Sequence, residues 1–134
     1  MSNEEDPRFP TGEWEGFYLH GFGMLPRHRM SCVLTFADGK VSGSGLDDVG
    51  RFSWSGTYDV SEARCWLHKR YATHVVFYDG YVDAHGIWGI WEISKASRGG
   101  FKIWPQGLQS SRDEEEQAEL SLPTGDFELN DPLP

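Results

Sequence analysis

Apolar side chains recur at every second position over short stretches of this chain, which is the period of a strand with one buried face. The pattern is clearest over 51–58, where Phe52, Trp54, Gly56 and Tyr58 alternate with Arg51, Ser53, Ser55 and Thr57. Residues 28–36 alternate in the same way, with Met30, Cys32, Leu34 and Phe36 on one side. A strand is predicted over 13–20, with Trp14, Gly16 and Tyr18 sharing a face. Asp38-Gly39 accepts the positive φ values of a type I′ turn, so a hairpin joins the 28–36 strand to another over 40–45. Strands over 65–71 and 74–80 are separated only by Ala72-Thr73, which makes them antiparallel neighbours. Two more are predicted over 86–93 and 101–104, the last stopped by Pro105. Between Trp14 and Trp104 no run of ten or more residues has helical periodicity.

Eight short strands in sequence favour an all-β, antiparallel up-and-down barrel, because closure removes the exposed edges of an open sheet. A two-sheet sandwich is the competing arrangement. Gly16, Gly43, Gly56 and Gly89 lie inside strands, where they weaken a flat sheet and permit the coiling of a small barrel. A length of 134 residues suits one domain. The expected division is a disordered segment over 1–11, a barrel over 12–105 and an acidic tail over 106–134.

Charge narrows the partners. The net charge is −9, and residues 111–134 hold eight acidic groups against the single Arg112, so −7 lies in the tail and about −2 in the body. With no basic stripe to neutralise phosphates, nucleic acid is not an expected partner. The first ten residues lack the basic start and apolar run of a signal peptide, and no stretch approaches the roughly 20 apolar residues that span a bilayer. A cytoplasmic protein with no membrane partner is expected. Cys32 and Cys65 then read as small core residues rather than as a disulfide. For the tail the simplest reading is a solvated, solubilising segment. A short helix over 113–120 is the other local reading, with Phe127, Leu129 and Leu133 available to dock on an aromatic face.

Gly12-Glu13-Trp14, opening the first strand of an eight-strand meander, resembles the Gly-x-Trp start of the calycins, and the length and short hairpins are most similar to avidin-like and lipocalin-like barrels. The resemblance implies a ligand held in the barrel mouth or interior between aromatic walls. Avidins place an asparagine two residues after that tryptophan, and Gly16 stands there instead, which argues against biotin. Gly12-Glu13-Trp14-Glu15-Gly16 also resembles the opening of nitrobindin-like haem barrels. That resemblance implies an axial histidine, for which His68, His74 and His85 are the candidates; none sits in a matching context, and no cofactor is expected.

Strand parity singles out one polar cluster. Cys65, Leu67 and Tyr71 form the apolar face of their strand, so Lys69 shares it and is expected to point inward. A buried ammonium needs a partner, because desolvating an unpaired charge costs several kcal/mol or shifts its pKa. Tyr71, His74 and Tyr78 are near in sequence, and Asp47 or Asp48 could supply the carboxylate. The bland reading is a buried pair that plugs one barrel end and fixes its register; the sharper one is a polar anchor for a small anionic or hydroxylated ligand. The ligand-binding set expected from these readings is Trp14, Tyr18, Asp48, Trp54, Tyr58, Lys69, Tyr71, His74, Tyr78 and Trp91.

Metal and nucleophilic chemistry find no support. Adjacent Asp47 and Asp48 lack the alternating oxygen spacing of a calcium loop, and five scattered histidines lack the paired spacing of a zinc site. There is no Gly-x-Ser-x-Gly. Trp88 and Trp91, three apart on a strand, face opposite sides, so one is exposed and hints at an interface, a homo-oligomer included. Three functions remain. A non-enzymatic binding barrel for a small, partly apolar molecule predicts an interior cavity lined by Trp54, Tyr58 and Tyr78. A structural or interaction barrel predicts a filled core. A small isomerase or cyclase would use Lys69, His74 and a carboxylate for proton transfer.

Overall fold

Eight strands follow one another in the computed structural model, which describes residues 6–23 and 26–106. They are β1 (Gly12–Tyr18), β2 (His28–Ala37), β3 (Lys40–Asp47), β4 (Arg51–Asp59), β5 (Arg64–Arg70), β6 (Val75–Asp83), β7 (Gly86–Ser94) and β8 (Ser97–Pro105). Each pairs antiparallel with the next, and β1 pairs back with β8, Trp14 opposite Pro105 and Tyr18 opposite Phe101, to close a barrel. Closure leaves every strand with two neighbours, which removes the sandwich alternative. No helix among the described residues is long and apolar enough to cross a membrane.

Asp38 and Gly39 form the β2–β3 turn with φ values of 54° and 78°, as the Asp-Gly signal requires. The four strand glycines sit where the barrel wall coils most tightly. A Cβ on Gly16, Gly43, Gly56 or Gly89 would lie only 1.9–2.1 Å from a backbone oxygen of the neighbouring strand. Several strands run further than the sequence pattern indicated. β3 continues through Asp47, because the longer β2 offers it partners as far as Met30, and β8 starts at Ser97 rather than 101. The first extension matters, since parity along β3 then places Asp47 on the inward face with Val41.

Alternation fills the interior with Trp14, Tyr18, Met30, Cys32, Leu34, Phe36, Phe52, Trp54, Tyr58, Leu67, Tyr78, Trp91 and Phe101, all buried. Cys32 and Cys65 are free thiols in this core. Because the strands alternate in direction, the C-terminal ends of odd strands and the N-terminal ends of even ones meet at one end of the barrel. The opposite end is sealed by Phe9, which is fully buried although it falls in the segment expected to be disordered. Its ring lies 5.4 Å from Phe36 and 4.7 Å from Tyr58. Trp14 Nε1 donates to Pro10 O at 2.9 Å, and Arg8 pairs with Asp6 and donates to Val60 O at 2.9 Å, which ties this plug to the wall. Burying one such ring contributes about 1.5–3 kcal/mol. Of the tail, only Gln106 is described; the acidic run and Phe127, Leu129 and Leu133 lie outside the described residues.

Candidate functional site

The end opposite Phe9 is polar, and strand direction explains why its residues meet. Tyr18 and Asp47 close β1 and β3, Lys69 is the penultimate residue of β5 with Tyr71 just beyond it, and His28 opens β2. Lys69 and Asp47 both have side chains without solvent exposure, and Nζ donates to Asp47 Oδ2 at 2.5 Å. Tyr71 OH donates to the same oxygen at 2.5 Å. Nζ also reaches Tyr78 OH at 3.3 Å and the Met30 sulfur at 3.7 Å. Around it stand the rings of Phe52 at 4.4 Å, Tyr18 at 5.0 Å, Tyr71 and Tyr78 at 5.4 Å and Trp54 at 5.6 Å, close enough for cation–π attraction.

Asp48, next to Asp47 but outside the strand, takes different partners at the rim. Tyr18 OH donates to its Oδ1 at 2.6 Å, and His28 Nδ1 lies 2.6 Å from its Oδ2. His28 stacks on Tyr18 at 4.8 Å, and His20 meets His28 edge-on at 4.7 Å. Trp91 presents its edge to Tyr18 at 6.2 Å and donates its indole N–H to Leu19 O at 2.7 Å. His74 stacks on Tyr71 at 4.7 Å.

Burial governs the protonation of these groups. It pulls the Lys69 ammonium below the ordinary lysine range, and Asp47 beside it restores only part of the shift. Burial, then the hydrogen bond to Asp47, raises the Tyr71 hydroxyl far above its usual value. Tyr78 is raised by burial and the Asp47 charge, and Tyr18 by burial and its bond to Asp48. All three stay protonated at neutral pH; Tyr18 and Tyr71 donate to the two aspartates, and Tyr78 accepts from Lys69. Asp48 is pushed up by burial, but the bonds from Tyr18 and His28 outweigh this and hold it below the ordinary carboxylate range. The Cys32 thiol is pushed up to about 11 by burial, opposed by Trp54 and the Lys69 charge.

Of the ten residues expected from the sequence, the polar end unites Tyr18, Asp48, Trp54, Lys69, Tyr71, His74, Tyr78 and Trp91. Trp14 and Tyr58 lie toward the plugged end instead, against Phe36 and Phe9. The two candidate aspartates divide the work, Asp47 holding Lys69 and Asp48 holding the rim. Sequence reasoning missed His20, His28, Met30 and Phe52. Parity could have found three of them, since Phe52 shares the inward face of β4 with Trp54, His28 and Met30 share that of β2 with Cys32, and His28 stands opposite Tyr18 in the ladder. Of the histidines considered for haem, His74 joins this end, whereas His68 and His85 are exposed and His68 meets Phe77 edge-on outside the wall.

Among the described residues, two buried side-chain polar atoms have no nitrogen or oxygen partner, Trp54 Nε1 and Tyr58 OH. Trp54 has only the weakly accepting Cys32 sulfur beside it. Three open clefts bounded by described residues, of about 510, 710 and 360 Å³, lie on the outer wall or at the plugged end, and Trp54, Tyr58 and Tyr78 line none of them. The 360 Å³ cleft includes Met30 and Asp47 in its lining and so borders the Lys69 cluster. No protein-family model, curated protein or solved structure matches the chain.

Proposed function

We propose that the chain is a non-enzymatic binding barrel whose ligand, a small and partly apolar molecule with anionic or hydroxyl groups, engages the end built around Lys69. The observation that carries this reading is the segregation of the two ends. One is plugged by Phe9 and apolar; the other gathers Lys69, Asp47, Asp48, three tyrosine hydroxyls and three histidines. A barrel that needed only stability would do as well with apolar side chains there, because a buried ion pair seldom improves on them. An eight-stranded barrel is also just wide enough to hold one small ligand, which agrees with the avidin-like and lipocalin-like resemblance of its opening strand. Lys69 would bind the acceptor group, Tyr18 and Tyr71 would shift to admit it, and the indole N–H of Trp54 would gain the partner it lacks.

The test is a thermal-shift screen of small aromatic carboxylates and polyols against the intact chain and a Tyr18→Phe variant. A compound that raises the melting temperature of the intact chain, and raises it less in the variant, supports the reading. Hits that stabilise both equally would place binding elsewhere.

A second reading has its own support. The interior holds large side chains throughout, and the three clefts leave the centre untouched. On that reading the Lys69–Asp47 pair fixes the register of β3 against β5, and the working surface is the outside of the wall.

A further inference from the structure

The outside of the wall is not uniform. On β5, β6 and β7 the outward positions align in three rows across the ladders: Arg64, Tyr81 and Trp88; Trp66, Asp79 and Ile90; His68, Phe77 and Glu92. Trp66, Phe77, Tyr81, Trp88 and Ile90 are each 39–52% exposed. Aromatic side chains present roughly 150–250 Å² each, so these five leave about 400 Å² of contiguous apolar surface in water. Isolated exposed apolar residues are ordinary, whereas a contiguous patch of this size is about the largest that a monomer carries and is often functional.

The patch is also preorganised and internally neutral. Arg64 pairs with Asp79 across β5 and β6, and its guanidinium lies 4.3 Å from the Tyr81 ring and 5.1 Å from the Trp66 ring. Trp88 is held by Tyr81 at 5.2 Å and by its N–H bond to Asp83 at 3.1 Å. Rigid aromatic side chains lose little entropy on binding, which is what interface anchors require.

We propose that this face is the interface of a twofold dimer of the chain. Two features select a second copy. A standard interface buries about 800 Å² per partner, somewhat over half of it apolar, and the five side chains supply most of that apolar share. Charge permits the pairing as well, because Arg64 neutralises the Asp79 that meets its own copy on the axis. A twofold axis lying in the interface along β6 sets β5 of each copy over β7 of the other. His68 then faces Glu92 of the partner subunit at both symmetric positions, with the long Arg70 side chain one row further along β5, and Arg64 faces Trp88 of the partner subunit. Phe77, Asp79 and Tyr81 of β6 then lie along the axis, each against its own copy, so that the exposed Phe77 ring is buried by the contact.

Sedimentation velocity of the intact chain across roughly 1–100 μM is the test, a range that brackets micromolar association. The expected result is a concentration-dependent species of twice the chain mass. Phe77→Asp is expected to raise the dissociation constant at least about tenfold, with an unchanged near-ultraviolet circular dichroism spectrum because the side chain is exposed. Arg70→Glu and Glu92→Arg are each expected to weaken the dimer, and the double variant to recover it. A monomer at every concentration would overturn the proposal, as would a dimer indifferent to Phe77→Asp. So would a chain ending at Gln106 that dimerises while the intact chain does not, since the tail would then be the occupant.

Discussion

Separating Lys69 from Asp47 is the most informative perturbation, because neither side chain touches water and neither can hide its charge. Asp47→Leu leaves the ammonium with Tyr78 OH at 3.3 Å, the Met30 sulfur at 3.7 Å and a cage of rings. Stranding the charge can cost no more than deprotonating the lysine instead, about 5 kcal/mol at pH 7 from an ordinary pKa near 10.4, to which the variant adds loss of the bonds that Asp47 Oδ1 accepts from the Val49 and Gly50 N–H groups. Lys69→Met leaves a buried carboxylate that still accepts from Tyr71, and its ceiling, the cost of protonating an ordinary aspartate at pH 7, is about 4 kcal/mol. Each single variant is therefore expected to lose about 3–4 kcal/mol. The double variant removes both charges and fills the space with apolar atoms, so it is expected within about 2 kcal/mol of the parent, a coupling energy of at least about 4 kcal/mol. Urea unfolding followed by tryptophan fluorescence measures all four corners. Additive losses, or single losses under about 1 kcal/mol, would refute the idea of a dry, mutually dependent pair.

Further outcomes follow from the same packing. Cys32 and Cys65, pushed up by burial to about 11 and about 12, and the raised Tyr18, Tyr71 and Tyr78 all keep their protons longer in the folded chain than in the unfolded one. Their stabilising contribution is complete below their unfolded pKa values and is lost above them, so stability is expected to fall from about pH 9 and steepen past pH 10, by roughly 1.4 kcal/mol per pH unit for each titrating group. A stability plateau to pH 11 in urea titrations would contradict this. Tyr58→Phe deletes a buried hydroxyl that has no partner and is expected to leave stability unchanged or raise it by up to about 1 kcal/mol, whereas a loss above 1 kcal/mol in the same assay would mean that the hydroxyl is bonded. Gly56→Ala would place its Cβ 2.0 Å from Trp66 O, and it is expected to lower stability by more than about 3 kcal/mol or to abolish the near-ultraviolet spectrum; normal folding would show that the wall can open there.

The barrel was legible because its evidence is local. Period-2 alternation in β2 and β4, the Asp38-Gly39 turn and the four coiling glycines each report on a few neighbouring residues. Parity also placed Lys69 inside, because one face of β5 is apolar everywhere else. What the sequence concealed depends on distant partners. Asp47 faces inward only because β2 is long enough to carry β3 two residues further, and Asp47 and Asp48 are indistinguishable until that length is known. Phe9 belongs to a polar, proline-flanked segment with no strand signal, so its role as a plug arises from the opening between Phe36 and Tyr58. His28 and His20 reach Tyr18 through the ladder and the turn of the chain, a relation that spacing alone does not encode.

Native mass spectrometry of the purified intact chain, compared with its denatured mass, tests ligand binding most directly. The account predicts a discrete extra mass that is lost on denaturation and is reduced in the Lys69→Met/Asp47→Leu variant, which keeps the barrel but removes the anchor. A bare chain under conditions gentle enough to preserve weak complexes, or an adduct retained equally by that variant, would contradict it and leave the filled barrel with its outer aromatic face as the working surface.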